Sequence, residues 1–440
     1  MDEFDERDVF GKTFECDCGR THGIEPREVI YADNAIGRLP EVCARYADGR
    51  RAAMIMDVRT RRAAGAEAAA AMADAGWDVD EIVLEDPAPG KTPVCDDVTK
   101  TAIAPRAAGA DLLVPVGSGV VGDTAKWLAM DSGVPYVTFA TAASMNGYAS
   151  PNIAPTIEGV KSLVYGRAPA AVLTSPTVLK NAPYEMTAAG LGDVLAKSVS
   201  SADWYLNHLL FDDYYCRRSV GLIAGIEPLY LDRPADLAAG DETAMRALFD
   251  ALLLTGVAMN MADTSFPASG GEHLISHSLD MMSSVDGVPH DLHGRQVGVG
   301  TILAAELYER LLAVESPELV DAPPGIDRAF WGPPADVVAG HYAGKADRLR
   351  EAKELLAAGD AWDRLRAELS AMHRPPERIA SCLSDAGAAL KARELGIGRD
   401  RLLRALRHAH EIRSRFTVLD LAYLAGLMPA VASEIVEKWG

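Results

Sequence analysis

The sequence contains few cysteines and no long uninterrupted apolar run. Six cysteines are scattered along 440 residues, too sparsely for a disulfide framework, so reduced thiols are expected. No segment approaches the ~18 to 20 consecutive apolar residues of a membrane span. The first residues, MDEFDERDVF, lack the basic-then-apolar order of a secretory signal. The sequence therefore predicts a cytoplasmic protein that does not enter a membrane.

Positive charge is also scarce. The chain has 43 Lys and Arg against 63 Asp and Glu, a formal net charge of −20. Nucleic acids and anionic membranes are disfavoured as partners because like charges repel. An anionic substrate would need a local cluster of cations.

The order of apolar patterns indicates two kinds of architecture. Candidate strands at residues 52–58, 81–85, 111–117, 135–141 and 170–175 are separated by Ala-rich helical segments. Such alternation is typical of a parallel sheet covered on both faces. Beyond about residue 180 the strand signals stop and long amphipathic segments follow. We expect an α/β domain at residues 1–178 and an all-helical domain at residues 179–440.

A glycine-rich loop follows the third candidate strand. Gly117, Gly119 and Gly122 have the spacing G-x-G-x-x-G and precede a helical segment, a context that suits a pyrophosphate. An ordinary dinucleotide fold would place this loop after its first strand, with an acid ~20 residues later, and neither condition holds. Asp57, which ends an earlier strand, is either a ribose ligand or a plain turn residue. Because Arg59 could meet a 2′-phosphate, the choice between NAD and NADP stays open.

Four of the ten histidines, at positions 273, 277, 290 and 293, lie within 21 residues. Imidazole is the commonest metal-ligating side chain. The protease motif H-E-x-x-H is excluded because Leu274 follows the first histidine. A site with three protein ligands would also accept a carboxylate such as Asp193, although an ion pair between Asp193 and Lys197, four residues apart, is the simpler alternative.

A second cluster lies near the N-terminus, where CDCGRTHG brings Cys16, Cys18 and His22 close together. It is either a soft-metal site or a purely structural segment.

Five ordered motifs are similar to those of a known family. GSGVVGDTAK, TAASMNGYASP, GLGDVLAK, SGGEHLISH and LHGRQVGVGT resemble the bacterial-type glycerol-1-phosphate dehydrogenases. These belong to the superfamily of iron-containing alcohol dehydrogenases, glycerol dehydrogenases and dehydroquinate synthases. The resemblance implies a dehydroquinate synthase-like fold, with an α/β nucleotide-binding domain, an all-α domain and a metal-containing catalytic cleft between them.

The resemblance also implies the metal ligands: Asp193, His273 and His293. His290 is the rival of His293, but His293 carries the glycine of the family pattern. Lys197 stands where the iron-type alcohol dehydrogenases have a fourth ligand, so zinc or nickel is favoured over iron. His277 is expected one helical turn from His273, as a proton relay or a packed core residue.

The remaining site residues follow from the same resemblance. Catalytic roles fall to His277, Asn146 and Lys197. Substrate contacts fall to Asn146, Lys161 and Arg295, of which the last two, together with Lys197, are cations suited to a phosphate. The expected contacts of the NAD(P)H cofactor are Asp57, Gly117, Ser118, Gly119, Gly122, Asp123, Thr141 and Ser144.

The expected activity is the reversible NAD(P)H-dependent reduction of dihydroxyacetone phosphate to sn-glycerol 1-phosphate, by metal-assisted hydride transfer in a homo-oligomer. The stereochemistry rests on the resemblance alone. A glycerol dehydrogenase that acts on an unphosphorylated polyol is the nearest alternative. A dehydroquinate synthase relative and a sensor without turnover are more distant ones.

Overall fold

The computed structural model describes residues 9–158 and 160–440. They form two compact units. The sheet unit contains the described residues up to Gly190 and the segment Arg217–Thr264, and the helical unit contains Leu191–Cys216 and Ser265–Gly440. Each unit consists of two separate segments of the sequence, whereas each predicted domain is one continuous segment. The domain boundary between residues 178 and 179 stays a prediction.

All strands of the described chain precede residue 175. They are β1 (Thr13–Glu15), β2 (Thr21–Gly23), β3 (Glu28–Tyr31), β4 (Arg51–Asp57), β5 (Asp78–Leu84), β6 (Leu112–Gly117), β7 (Val137–Ala140), β8 (Asn152–Ile153), β9 (Thr156–Ile157), β10 (Val160–Lys161), β11 (Val164–Tyr165) and β12 (Ala171–Thr174).

Helices connect the strands of the sheet and dominate the chain beyond residue 175. They are α1 (Ala35–Ala44), α2 (Val58–Thr60), α3 (Ala66–Asp74), α4 (Asp97–Ala107), α5 (Gly119–Ser132), α6 (Pro176–Lys180), α7 (Tyr184–Leu195), α8 (Lys197–Phe211), α9 (Arg217–Gly221), α10 (Glu227–Leu231), α11 (Pro234–Ala238), α12 (Glu242–Ala262), α13 (Gly271–Asp286), α14 (His293–Leu312), α15 (Arg328–Trp331), α16 (Ala335–Ala343), α17 (Ala346–Leu356), α18 (Ala361–Ser370), α19 (Pro376–Asp385), α20 (Arg399–His408), α21 (Val418–Leu424) and α22 (Ala430–Trp439). A π-helical segment occupies Arg61–Gly65, and 3-10 turns occupy Ala392–Leu395 and Ala409–Ile412.

A parallel sheet of six strands, in the order β3-β12-β7-β6-β4-β5, is the core of the sheet unit. Side chains of a strand alternate between its faces. In β4, Met54 and Met56 face the cluster that includes α1 and α3, whereas Ala53 and Ile55 face the cluster that includes α4 and α5. Because both faces are covered, the interior strands β6, β7 and β12 are buried at every position, whereas the edge strand β5 is buried only at Ile82 and Leu84. All five predicted strands are present.

One described helix, α12, is long and apolar enough to span a membrane, with a mean hydropathy of 1.2. However, 89% of its apolar window is buried within the protein. It packs as an interior helix of the sheet unit.

The helical unit is built around α14, where nearly every residue is buried. Helix α14 packs against α13, α19, α21 and α22. An α/β region followed by an all-helical region confirms the predicted fold class. Helices α13 and α14 carry the histidine-rich segment, so they bring the candidate metal ligands together.

Candidate metal centre and cofactor loop

Three helices bring together Asp193, His273 and His293, which are all residues of the helical unit. Asp193 lies near the end of α7, His273 in the first turn of α13, and His293 at the start of α14. One ligand atom from each lies within 4.8 Å of the others. The His273 Nε2 atom is 3.4 Å from Asp193 Oδ1, and the two imidazole rings are 5.2 Å apart.

Glycines allow the helices to approach this closely. A Cβ atom on Gly192 would lie 2.1 Å from the carbonyl oxygen of Gly294, at the first turn of α14. A Cβ atom on Gly300 would lie 2.5 Å from the carbonyl oxygen of Glu272. Any larger residue would push α14 away from α7 or α13, and the ligands would separate.

Glu272 orients the central histidine. Its Oε1 atom accepts a hydrogen bond of 2.7 Å from the backbone amide of Gly270 and lies 2.7 Å from His273 Nδ1. A carboxylate there requires the proton on Nδ1, which leaves the lone pair of Nε2 directed at Asp193. Burial lowers the pKa of His273, but hydrogen bonds with Asp193 and Glu272 outweigh it and raise the pKa to about 9.

This geometry fits a bound cation. A neutral Nε2 and a carboxylate oxygen are both acceptors, and they repel each other unless a proton or a metal ion lies between them. One carboxylate and two imidazoles form the three-protein-ligand set of metal sites that keep an open position. The residues therefore fit the divalent metal that the resemblance implies.

A buried acid, Asp203, contacts the first residue of α13, the helix that carries His273. Its Oδ1 accepts hydrogen bonds from the Tyr308 hydroxyl at 2.5 Å and the Val418 amide at 2.8 Å, and its Oδ2 accepts one from the Gly271 amide at 2.7 Å. Burial, followed by the negative charge of Glu272, raises the pKa of Asp203 to about 7. Asp203 holds the start of α13 in place. Sequence reasoning missed it, although an acid within the apolar segment SSADWYL was a signal.

His277 and His290 lie in different surroundings. The His277 ring stacks on His293, with centroids 5.4 Å apart, and its Nδ1 atom is 4.0 Å from Asp280 Oδ2. His277, Asp280 and His293 form a second group of possible ligands that shares His293 with the first. The His290 side chain is 49% exposed, faces Asp280 at 3.5 Å and belongs to neither group. The structure thus places His293, not His290, beside Asp193 and His273.

The predicted phosphate cations have different partners. The Arg295 Nε atom lies 3.0 Å from Asp291 Oδ2, and its Nη2 donates a 2.5 Å hydrogen bond to the Glu394 carbonyl. Lys197 is buried at the start of α8. Lys161, in the sheet unit, is half-buried in β10 and is paired in register with Thr156. Arg295 thus has part of its charge balanced by an acid.

The glycine loop connects β6 to α5 in the sheet unit. A Cβ atom on Gly117 would lie 2.6 Å from Val121 Cβ, whereas one on Gly122 would meet nothing within 4 Å. The hydroxyls of Ser118 and Ser144 are hydrogen-bonded to each other. The Thr141 amide donates a 3.2 Å hydrogen bond to the Gly117 carbonyl. The structure therefore brings the loop together with the segment that follows β7, as a cofactor site requires.

Three other predicted residues have structural roles. Asp57 caps α2, with Oδ1 accepting the amides of Arg59 at 2.7 Å and Thr60 at 2.8 Å. Asp123 accepts the Ala154 amide at 3.0 Å and binds Lys126 Nζ at 3.2 Å. The backbone oxygen of Asn146 packs against α12, where a Cβ atom on Gly256 would lie 2.9 Å from it.

Comparison with known proteins places the chain in a family. Residues 30–183 match the pattern of iron-containing alcohol dehydrogenases. A glycerol-1-phosphate dehydrogenase (NAD(P)+) of Geobacillus stearothermophilus is 34% identical over 310 residues, 70% of each chain. One from Bacillus licheniformis is 28% identical over 417 residues, 94% of each chain.

Solved structures share the fold. A probable glycerol dehydrogenase from Sinorhizobium meliloti superposes with a TM-score of 0.60 at 19% identity, covering 95% of this chain and 99% of that one. An alcohol dehydrogenase from Oenococcus oeni superposes with a TM-score of 0.62 at 15% identity, covering 95% and 99%. Because it is 34% identical to the Geobacillus stearothermophilus enzyme over 70% of each chain, and shares the motifs and the fold, the chain belongs to the glycerol-1-phosphate dehydrogenase family.

Proposed function

We propose that this protein catalyses the reversible reduction of dihydroxyacetone phosphate to sn-glycerol 1-phosphate, with NADH or NADPH as hydride donor. The observation that carries the proposal is the convergence of Asp193, His273 and His293 in a chain 34% identical to a glycerol-1-phosphate dehydrogenase.

Asp193, His273 and His293 would hold one divalent metal. When bound, such a metal acts as a Lewis acid that polarises the ketone carbonyl of the substrate. Because the ligand set contains two imidazoles and one carboxylate, zinc or nickel suits it at least as well as iron. Glu272 fixes the His273 tautomer through the 2.7 Å contact at Nδ1.

His277 is proposed to move the proton that the alcohol oxygen gains on reduction. Its ring lies against His293 and faces Asp280 across 4.0 Å. Imidazole is the side chain that most often serves as a general acid or base. Lys197 and Asn146 are proposed to orient the substrate.

NAD(P)H supplies the hydride when it is bound. The amides of Ser118 and Gly119 at the N-terminus of α5 are proposed to bind its pyrophosphate, where partial positive charge accumulates. Gly122, whose amide donates a 2.8 Å hydrogen bond to the Ser118 carbonyl, is proposed to leave space for the pyrophosphate. Asp57 is proposed to bind the adenosine ribose, and Arg59 a 2′-phosphate. Arg59 already pairs with Asp86 at 2.5 Å, so binding a phosphate would require it to leave that partner.

Lys161 and Arg295 are proposed to bind the substrate phosphate, which carries about two negative charges. The proposal further includes a cytoplasmic homo-oligomer without nucleic-acid or membrane partners.

The first test is an absorbance assay with NADH and with NADPH on metal-reconstituted protein. Dihydroxyacetone phosphate is added to one sample and dihydroxyacetone to another. Fast oxidation is expected with the phosphorylated ketone alone. Preference for the unphosphorylated ketone would overturn the substrate assignment and indicate a glycerol dehydrogenase.

A variant then tests the phosphate contact. Lys161→Ala is expected to raise the KM for dihydroxyacetone phosphate and to leave the slow reaction with dihydroxyacetone unchanged. An equal loss with both ketones would mean that Lys161 has no specific contact with the phosphate.

A further inference from the structure

The N-terminal hairpin of the sheet unit gathers metal-binding side chains. Strands β1 and β2 pair in antiparallel register, with Phe14 opposite His22. The turn between them is closed by hydrogen bonds from the Cys16 amide to the Arg20 carbonyl, at 3.0 Å, and from the Gly19 amide to the Cys16 carbonyl, at 2.9 Å. Gly19 has a φ of +83°, a conformation that glycine adopts without strain.

This turn directs Cys16, Cys18 and His22 to one point. One ligand atom from each lies within 4.8 Å of the others. The Cys18 Sγ and His22 Nε2 atoms are 3.3 Å apart. Two ligands of a tetrahedral zinc ion, at about 2.3 Å for sulfur and 2.0 Å for nitrogen, lie at roughly this separation.

A cation of the same unit packs beside the hairpin. The guanidinium carbon of Arg218 lies 4.6 Å from the ring centroid of Phe14, and the Phe14 ring is 5.6 Å from that of His22.

We propose that Cys16, Cys18 and His22 are three ligands of a zinc ion held by the N-terminal hairpin, separate from the centre at Asp193, His273 and His293. Thiolates and imidazole are the usual zinc ligands, and soft thiolates select zinc over hard cations. A tetrahedral ion bound by these three residues would keep its fourth position for another ligand. Neither the proposed reaction nor the cofactor loop requires this site.

The charges around the hairpin suit thiolate ligands. The guanidinium groups of Arg20, in the turn, and of Arg218, beside Phe14, are close enough to act electrostatically on His22. Positive charge of this kind favours the thiolate form of cysteine, which is the form that binds zinc.

The test uses the full-length double variant Asp193→Ala/His273→Ala, which lacks two ligands of the other centre. Zinc is counted per chain, and zinc X-ray absorption reports the ligand atoms. About one tightly held zinc is expected, with at least two sulfur ligands near 2.3 Å and a nitrogen ligand near 2.0 Å. Absence of zinc, or zinc without sulfur ligands, would overturn the proposal. Because this variant has no turnover if the proposed function is right, the two proposals fail independently.

Substitutions in the wild-type background identify the ligands. Cys18→Ser is expected to lose about one zinc per chain, whereas Cys43→Ser, a buried thiol in α1, is expected to keep it. His22→Cys should retain zinc and show one more sulfur ligand than the wild type, a result that a packing role alone would not produce. If Cys16→Ser keeps the full number of sulfur ligands, the assignment of Cys16 is wrong.

Discussion

Glu272 is the single residue on which the orientation of the proposed metal ligands most depends. Glu272→Gln keeps an oxygen that can accept from His273 Nδ1 but removes the charge. We expect metal affinity to fall by about 10- to 100-fold, the usual effect of losing an outer-shell carboxylate. Competition with a metal-chelating dye would measure it.

The matched control is Asp286→Asn, at the end of the same helix, where the carboxylate pairs with Arg401 at the surface. It should leave the metal affinity unchanged. An unchanged affinity in Glu272→Gln would show that the charge of Glu272 has no part in metal binding.

A buried ion pair between Lys345 and Asp420 fixes the start of α21. The Nζ and Oδ1 atoms are 2.7 Å apart, and both side chains are completely buried. Asp420→Asn would leave the Lys345 charge without its counter-ion, which typically costs about 3–5 kcal/mol of unfolding free energy. Urea titration followed by circular dichroism would measure the loss. The control, Asp321→Asn, removes the partner of Lys353 in an exposed pair and should cost at most about 1 kcal/mol.

The contribution of Asp420 depends on pH in a defined direction. Burial raises the pKa of Asp420, but the charge of Lys345 and the contacts with His410 outweigh it, so the pKa is lower than usual. The stabilisation is complete above the unfolded-state pKa of about 3.9 and is lost as the pH falls below it. The difference between wild type and Asp420→Asn should therefore shrink in acid. A constant difference down to the acid unfolding midpoint would contradict this assignment.

The proposed ligands were predictable only where they were close in sequence or matched a family motif. The histidine cluster drew attention to His273 and His293, and the motif GLGD to Asp193. Asp203 was missed because its partners Gly271 and Val418 lie 68 and 215 residues away along the chain. Pairings of that kind depend on tertiary packing, which no local spacing encodes.

At the scale of elements, the close contact between α7 and α14 depends on glycine, which has no side chain. Gly192→Ala would place a methyl group 2.1 Å from the Gly294 carbonyl oxygen. We expect the helices to separate at a cost of about 1–3 kcal/mol. Because Asp193 is the next residue, bound metal should fall as well, as measured by metal content after dialysis.

Gly340→Ala is the matched control. Gly340 lies within α16, where an added Cβ atom would meet nothing within 4 Å. This change should be neutral or stabilise the protein by up to about 1 kcal/mol, because alanine favours the helix. Equal effects of the two substitutions would exclude a close-approach role for Gly192.

The strands of the main sheet were more predictable than the contacts between residues that are distant in sequence. The five predicted strands are present because each contains an apolar run of the kind that a strand in a sheet covered on both faces requires. The short hairpins of β8 to β11 have no such runs. Their strands are only two residues long and carry polar residues such as Asn152, Thr156 and Lys161, so the pattern was too short to detect.

At the scale of the whole molecule, the net charge of −20 should govern the response to salt. An excess of one sign destabilises the compact state by self-repulsion, and salt screens it over about 10 Å at 0.1 M. The melting temperature of the metal-loaded protein should rise as NaCl increases, and KCl should act equally. A falling melting temperature would mean that surface ion pairs contribute more than net repulsion.

The discontinuity of the two units could not be predicted from the sequence. The segment Arg217–Thr264 belongs with the sheet although it is helical and follows a segment of the helical unit. Its membership is set by contacts with residues far earlier in the chain, such as that between Phe249 and Tyr31.

The proposed ligands Asp193, His273 and His293 divide 101 residues of chain into two loops. An ion shared by all three would act as a reversible cross-link that closes these loops, and the closure entropy it removes from the unfolded chain grows only slowly with loop length. Metal uptake and folding would then be thermodynamically coupled in this chain. A cell that limits the metal would lower not only the rate of turnover but also the lifetime of the folded enzyme.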